Sequence, residues 1–228
     1  MTGKYATPTD FQKRLKPERL PLMEADYSGV PPKVDLQYLA DRLAIINHIA
    51  AYSYLIDEGR WEQWYALFSD DLLLETTAPC FGTIRIKGKE AFRTFVEMRF
   101  KPSERSQPLP VRRHIMGNIH VAEQTDTKAH ARTYVLISIA SGKGMFEVLT
   151  SGTYNATLEK RNGKWNITRW YIEIDGRVPK SPIPDIPGIE FIADDRPECN
   201  ENIYELLSSY WGFVWDSEAY IPLSFLEH

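Results

Sequence analysis

Apolar positions in the first part of the chain recur with helical spacing. Leu36, Leu39, Leu43, Ile46 and Ala50 stand three or four residues apart, which predicts an amphipathic helix entering after Asp35 and running to Asp57, with Gly59 ending it. Trp61, Trp64, Tyr65 and Phe68 then give an aromatic face to a short second helix. After Ser69-Asp70-Asp71 the pattern changes. Residues 72–77 and 83–87 read as short strands, and residues 89–100 as a third helix with Phe92, Phe95 and Val96 facing inward. Four long strand-like runs follow, at 112–122, 129–140, 146–160 and 165–175, and Arg161-Asn162-Gly163-Lys164 is a strong hairpin signal between the last two. Helices followed by a meander predict an α+β fold in which a curved antiparallel or mixed sheet wraps the N-terminal helices.

Proline sets the expected boundaries. Of 15 prolines, five fall in residues 1–32 and five in 178–197, and proline suits neither ladder interiors nor helix middles. The expected layout is an N-terminal extended arm (1–32), one folded domain (33–177), and a C-terminal arm (178–228) that is proline-rich and then aromatic. With 27 Lys+Arg against 31 Asp+Glu, the net charge of −4 supplies no electrostatic reason to bind nucleic acid or an anionic membrane. Two cysteines, Cys80 and Cys199, are too few for a disulfide scaffold, and no apolar run has the length of a signal peptide or membrane span. A cytoplasmic location is therefore expected.

Four stretches carry a resemblance: AYSYLIDEGRWEQWYALFSDD, FGTIRIKGKEAF, RRHIMGNIHV and the GTYNATLEKRNGKWNITRWYIEID hairpin. Together, over about residues 33–177, they resemble the SnoaL-like branch of the nuclear-transport-factor-2-like superfamily, whose members fold as a cone closed around one deep pocket. In that branch the scytalone dehydratases and the hexachlorocyclohexane dehydrochlorinase carry an Asp at the end of the first helix and a His on a central strand. The matching positions here are Asp57 and His114. The residue chemistry agrees, because a His ordered by a carboxylate is a base that works near neutral pH without a cofactor.

Further candidates surround this pair. The resemblance to scytalone dehydratase implies a catalytic tyrosine just before the Asp, and Tyr52 and Tyr54 both qualify. They stand about 200° apart around a helix, so the two cannot face the site equally, and the sequence leaves open which one does. Strand alternation groups His114, Met116, Asn118 and His120 on one face, where Asn118 would hold a substrate oxygen. Trp61, Tyr65 and Phe95 fall where the walls of a site for flat aromatic substrates should be, with Tyr134 a weaker candidate on the next strand; for any single one of them ordinary core packing is the favoured account. His114 with His120 does not make a metal site, for want of Glu-x-x-His or facial-triad spacing. Arg85, Lys87, Arg112 and Arg113 are cations that would neutralise a phenolate or carboxylate, Arg113 being favoured for adjoining His114 although alternation turns it away.

The segment NENIYELLSSYWGFVWDSEAYIPLSFLEH is too rich in Tyr, Trp and Phe to be a solvated tail, so it is expected to cover the pocket mouth or clasp a neighbouring subunit of a homodimer or homotrimer. The resemblance implies a cofactor-independent, metal-independent lyase for a hydrophobic aromatic hydroxylated small molecule. Loss of water and C–C cleavage releasing formaldehyde, as in the diarylpropane lyases of lignin catabolism, both remain open. Isomerisation or polyketide cyclisation, and a non-catalytic role as the small subunit of a ring-hydroxylating dioxygenase, are the alternatives.

Overall fold

The computed structural model describes residues 35–78, 81–99, 111–140, 146–175 and 186–194. The N-terminal arm, the aromatic C-terminal segment and both cysteines lie outside them. Helix α1 (Leu36–Asp57) begins where expected because the Asp35 carboxylate accepts a hydrogen bond from the Tyr38 backbone N–H at 2.7 Å. It ends at Gly59, whose φ of 67° favours glycine. The buried stripe is not the expected one, however. Tyr38, Ile45, Ile49, Tyr52 and Ile56 face the interior, whereas Leu36, Leu39 and Leu43 are exposed. The helix carries two apolar stripes, and the one bearing the larger β-branched and aromatic side chains packs on the sheet.

Helix α2 (Trp61–Tyr65) is shorter than predicted, because Phe68 already belongs to strand β1 (Phe68–Ala78). Strand β2 (Gly82–Lys87) returns antiparallel to it, and helix α3 (Lys89–Arg99) buries Phe92, Phe95 and Val96 as expected. The meander comprises β3 (Val111–Gln124), β4 (Lys128–Ala140), β5 (Phe146–Arg161) and β6 (Lys164–Ile174). Between the last two, Asn162 and Gly163 both have positive φ and Arg161 faces Lys164, the geometry of a two-residue type I′ turn.

Strand β6 pairs with β1 in parallel, which makes the sheet mixed. A strand not foreseen, β7 (Ile189–Ala193), adds to β2, and the order is β3-β4-β5-β6-β1-β2-β7. The sheet is open, and β3, expected at its centre, is an edge strand. Two neighbouring rows across all seven strands show why its faces differ. One reads Val121, Ala131, Ala156, Trp170, Leu74, Ile86, Ile189 and is apolar throughout. The next reads His120, Arg132, Asn155, Tyr171, Glu75, Arg85, Glu190. The helices cover the apolar face. Trp170, fully buried, stacks on Tyr52 at 4.8 Å and meets Phe68 and Tyr154 edge-on. On the other face Glu75 takes Arg85 at 2.9 Å and Arg169 at 2.7 Å.

Candidate functional site

Where α1 ends against β3, one carboxylate grips one histidine twice. Asp57 Oδ1 lies 2.6 Å from His114 Nδ1, and Oδ2 accepts the His114 backbone N–H at 2.7 Å. Both side chains are nearly buried, at 7% exposure for His114 and 6% for Asp57. The negative end of the α1 dipole disfavours a carboxylate at that position, so these two hydrogen bonds are what hold it there. They also settle the tautomer: with Asp57 ionised, Nδ1 carries the proton and donates it, which leaves the Nε2 lone pair as the basic site. Among the described residues Nε2 has no hydrogen-bond partner.

The other described histidines are placed differently. His48 Nε2 lies 2.9 Å from the Leu67 carbonyl, and His130 Nδ1 lies 3.1 Å from the Thr157 hydroxyl. Among the described residues no group of three or more His, Cys, Asp or Glu gathers as a metal site would require.

Of the two tyrosines before Asp57, Tyr52 is the one at the site. Its ring is 6.2 Å from the His114 ring, edge-on, and it is boxed by Trp64, Phe68, Tyr154 and Trp170. Tyr54 points outward and is 68% exposed, as the helical rotation between them demands. Burial pushes the Tyr52 phenol well above its ordinary range, with the Tyr154 phenol adding to the effect, and burial raises Tyr154 as well. Both phenols are therefore protonated at neutral pH and serve as hydrogen-bond donors.

Strand alternation fails after Met116. The β3–β4 register shifts between Gly117 and His120, and Asn118 adopts φ 45°, marking a β-bulge that exchanges the faces of the strand. His114 and Met116 consequently face the core, while Asn118 and His120 turn to the opposite side. Asn118 is exposed there, its side-chain carbonyl accepting the Tyr134 backbone N–H at 3.2 Å, and it holds no substrate oxygen beside His114. Tyr134 likewise points away from the core, 58% exposed, with the Arg132 guanidinium 6.0 Å from its ring centre. Burial, with Arg42 and Arg132 nearby, lowers the His120 pKa and favours its neutral form.

The aromatic residues expected as walls are chiefly core. Tyr65 packs on Trp64 and Phe92 under the Arg93 guanidinium at 4.5 Å, and burial pushes its phenol up to about 12. Phe95 is buried in the same cluster, and Trp61, half-buried, meets Trp64 edge-on. Met116 packs against this core from the His114 side.

Near the dyad, one residue was not among the sequence candidates and one was named there but ranked below its neighbour Arg113. Tyr154, on β5, meets Tyr52 edge-on at 5.7 Å, and only the strand pairing could have found it. Arg112 shares the face of His114, two residues before it with no register shift between, a signal that alternation did contain. Arg113, the cation favoured from the sequence, is exposed and bonds to the Arg112 carbonyl at 3.0 Å.

Residues 37–171 match the SnoaL-like domain family, more than half of the chain. The chain belongs to that family. Among solved structures, the fold is similar to the β subunit of a putative aromatic-ring-hydroxylating dioxygenase from Novosphingobium aromaticivorans, with 18% identity, TM-score 0.52, and coverage of 61% of this chain and 92% of that one. A Mycobacterium tuberculosis protein of unknown function is similar at 23% identity and TM-score 0.50, covering 61% and 75%. A putative scytalone dehydratase from N. aromaticivorans has 24% identity and TM-score 0.49, covering 64% and 93%. At these identities the first two likenesses show the fold alone, an α+β domain with a mixed sheet. No curated protein matches the chain. Among the described residues no helix is long and apolar enough to cross a membrane.

Proposed function

We propose that this SnoaL-like protein is a lyase that uses His114 as its general base and acts on a hydrophobic, aromatic, hydroxylated small molecule. The observation that carries the reading is the double grip of Asp57 on His114, which spends one buried carboxylate on fixing one imidazole tautomer. His48 lies against a backbone carbonyl and His130 against a hydroxyl, whereas His114 is held by a buried carboxylate, the partner that suits an imidazole to act as a base.

The chemistry requires proton transfer alone. In a dehydration, Nε2 takes a proton from carbon, the C–H electrons form the new double bond, and hydroxide leaves as water on receiving a proton from the Tyr52 phenol or from the imidazolium. In a deformylating cleavage, Nε2 takes the proton of a primary alcohol and the O–H electrons form the carbonyl of formaldehyde. The electrons of the broken C–C bond then become a double bond that expels hydroxide from the neighbouring carbon. In both, Asp57 stabilises the imidazolium and Tyr52 is the neutral donor that burial keeps protonated.

The test is turnover of a panel of aryl-substituted alcohols and diols, read by product mass and by a formaldehyde assay. Loss of the mass of water, or of formaldehyde together with water, abolished by His114→Ala, is the expected result. An unchanged product mass assigns the same base to isomerisation or cyclisation. Copurification with a metal-containing large subunit, together with activity unaffected by His114→Ala, overturns the reading.

A further inference from the structure

We propose that Arg112 is the specificity-determining residue of this site, and that it selects substrates bearing an acidic oxygen, a phenolate or carboxylate, placed beside the Asp57–His114 pair. The inference rests on that pair being the reactive centre and adds to it the charge of the molecule it receives.

The geometry begins with strand β3. Between residues 112 and 116 the pairing with β4 runs without a shift, so Arg112, His114 and Met116 share one face, and that face is the one α1 covers. The Nε of Arg112 is buried and has no hydrogen-bond partner, and among the described residues its guanidinium forms no ion pair. Several other arginines are ion-paired, while Arg42 and Arg113 bond to backbone carbonyls. Arg85 and Arg169 meet Glu75, Arg93 meets Glu62, Arg60 meets Glu58, and Arg161 meets both Asp71 and Glu159. Asp57 has both oxygens committed to His114.

A partly buried guanidinium with no carboxylate in hydrogen-bond reach is costly, and a site that keeps one favours an anion placed against it. The two phenols within its field do not supply that anion. Arg112 favours ionisation of both Tyr52 and Tyr154, yet burial outweighs it and both stay neutral. Among the described residues no carboxylate comes within ion-pair distance of the guanidinium, which leaves that place to the substrate, either as it arrives or as His114 removes its proton. A fixed guanidinium there lowers the energy of the oxyanion and rejects neutral or cationic analogues.

Binding of three chromophores of one shape tests this: para-nitrophenol, para-nitrobenzoate and the neutral para-nitroanisole. Wild-type protein should bind one or both anions about tenfold or more tightly than the ether, the worth of a charged hydrogen bond. Bound nitrophenol should also absorb as phenolate below its pKa in free solution. Arg112→Gln should erase the preference, Arg112→Lys should keep part of it, and both variants should melt as cooperatively as wild type. His114→Ala should retain the preference while losing turnover, which separates failure of this inference from failure of the base assignment. Whichever anion responds to Arg112→Gln names the oxyanion. Equal binding of ether and anions by wild type, or a preference that survives Arg112→Gln, overturns the proposal.

Discussion

Asp57→Asn is the sharpest test of the dyad, because it keeps shape and removes one property. The carboxylate accepts two hydrogen bonds, from the His114 N–H at 2.7 Å and from Nδ1 at 2.6 Å. An asparagine offers one accepting oxygen and one donating amide. If the oxygen keeps the backbone N–H, the amide nitrogen faces Nδ1, and two donors cannot meet there. The imidazole escapes by moving its proton to Nε2, so the lone pair points at the amide and the basic site is lost. One charge-assisted hydrogen bond is exchanged for a neutral one, a loss of about 2 kcal/mol. For a domain of this size that lowers Tm by roughly 4–8 °C. Turnover should fall much further, by about 10² to 10⁴, since the wrong tautomer has no base to offer. Nitrogen-15 chemical shifts of the His114 ring report the tautomer without a substrate, and thermal melts report the stability. A variant that retains the Nδ1–H tautomer and near-normal turnover would falsify the assignment of Asp57 as orienter.

Other expectations follow from the same packing. Tyr52→Phe should leave the unfolding free energy within about 1–2 kcal/mol of wild type but reduce turnover by at least tenfold if the phenol donates to the leaving oxygen, whereas Tyr52→Ala, which empties the space against Trp170, should cost about 3–5 kcal/mol in a denaturant titration. The two stripes of α1 should respond oppositely: Ile49→Ala should destabilise by about 2–5 kcal/mol, and Leu43→Glu by under about 0.5 kcal/mol. Burial pushes Asp41 and Glu75 up, but Lys160 and Trp165 on Asp41, and Arg169 and Arg85 on Glu75, more than reverse it and hold both below the ordinary carboxylate range. Their contribution is thus complete above the unfolded carboxylate values of about 4 and is lost as pH falls through the lower folded values. Acid melts of Asp41→Asn and Glu75→Gln should show a shallower loss of stability below about pH 4 than wild type.

Local rules alone settled much of this protein. The Asp35 cap, the Gly59 stop, the Asn162-Gly163 hairpin and the alternating strands are short-range signals, each a matter of a few neighbouring residues, and each element they announce is present. The Asp57–His114 pairing was legible through motif resemblance, since nothing in a chain separation of 57 residues announces a contact. Tertiary structure decided the rest. Which apolar stripe of α1 is buried depended on what the sheet could accept, and the sequence offered two. The bulge at Gly117-Asn118 came from pairing with β4, and it moved Asn118 and His120 off the face of His114, against strict alternation. Strand β7, Tyr154 beside Tyr52, and the unpaired Arg112 likewise depended on partners distant in the chain. Period and capping are properties of one segment; register, facing and charge compensation are properties of two, and they come into being only when the segments meet.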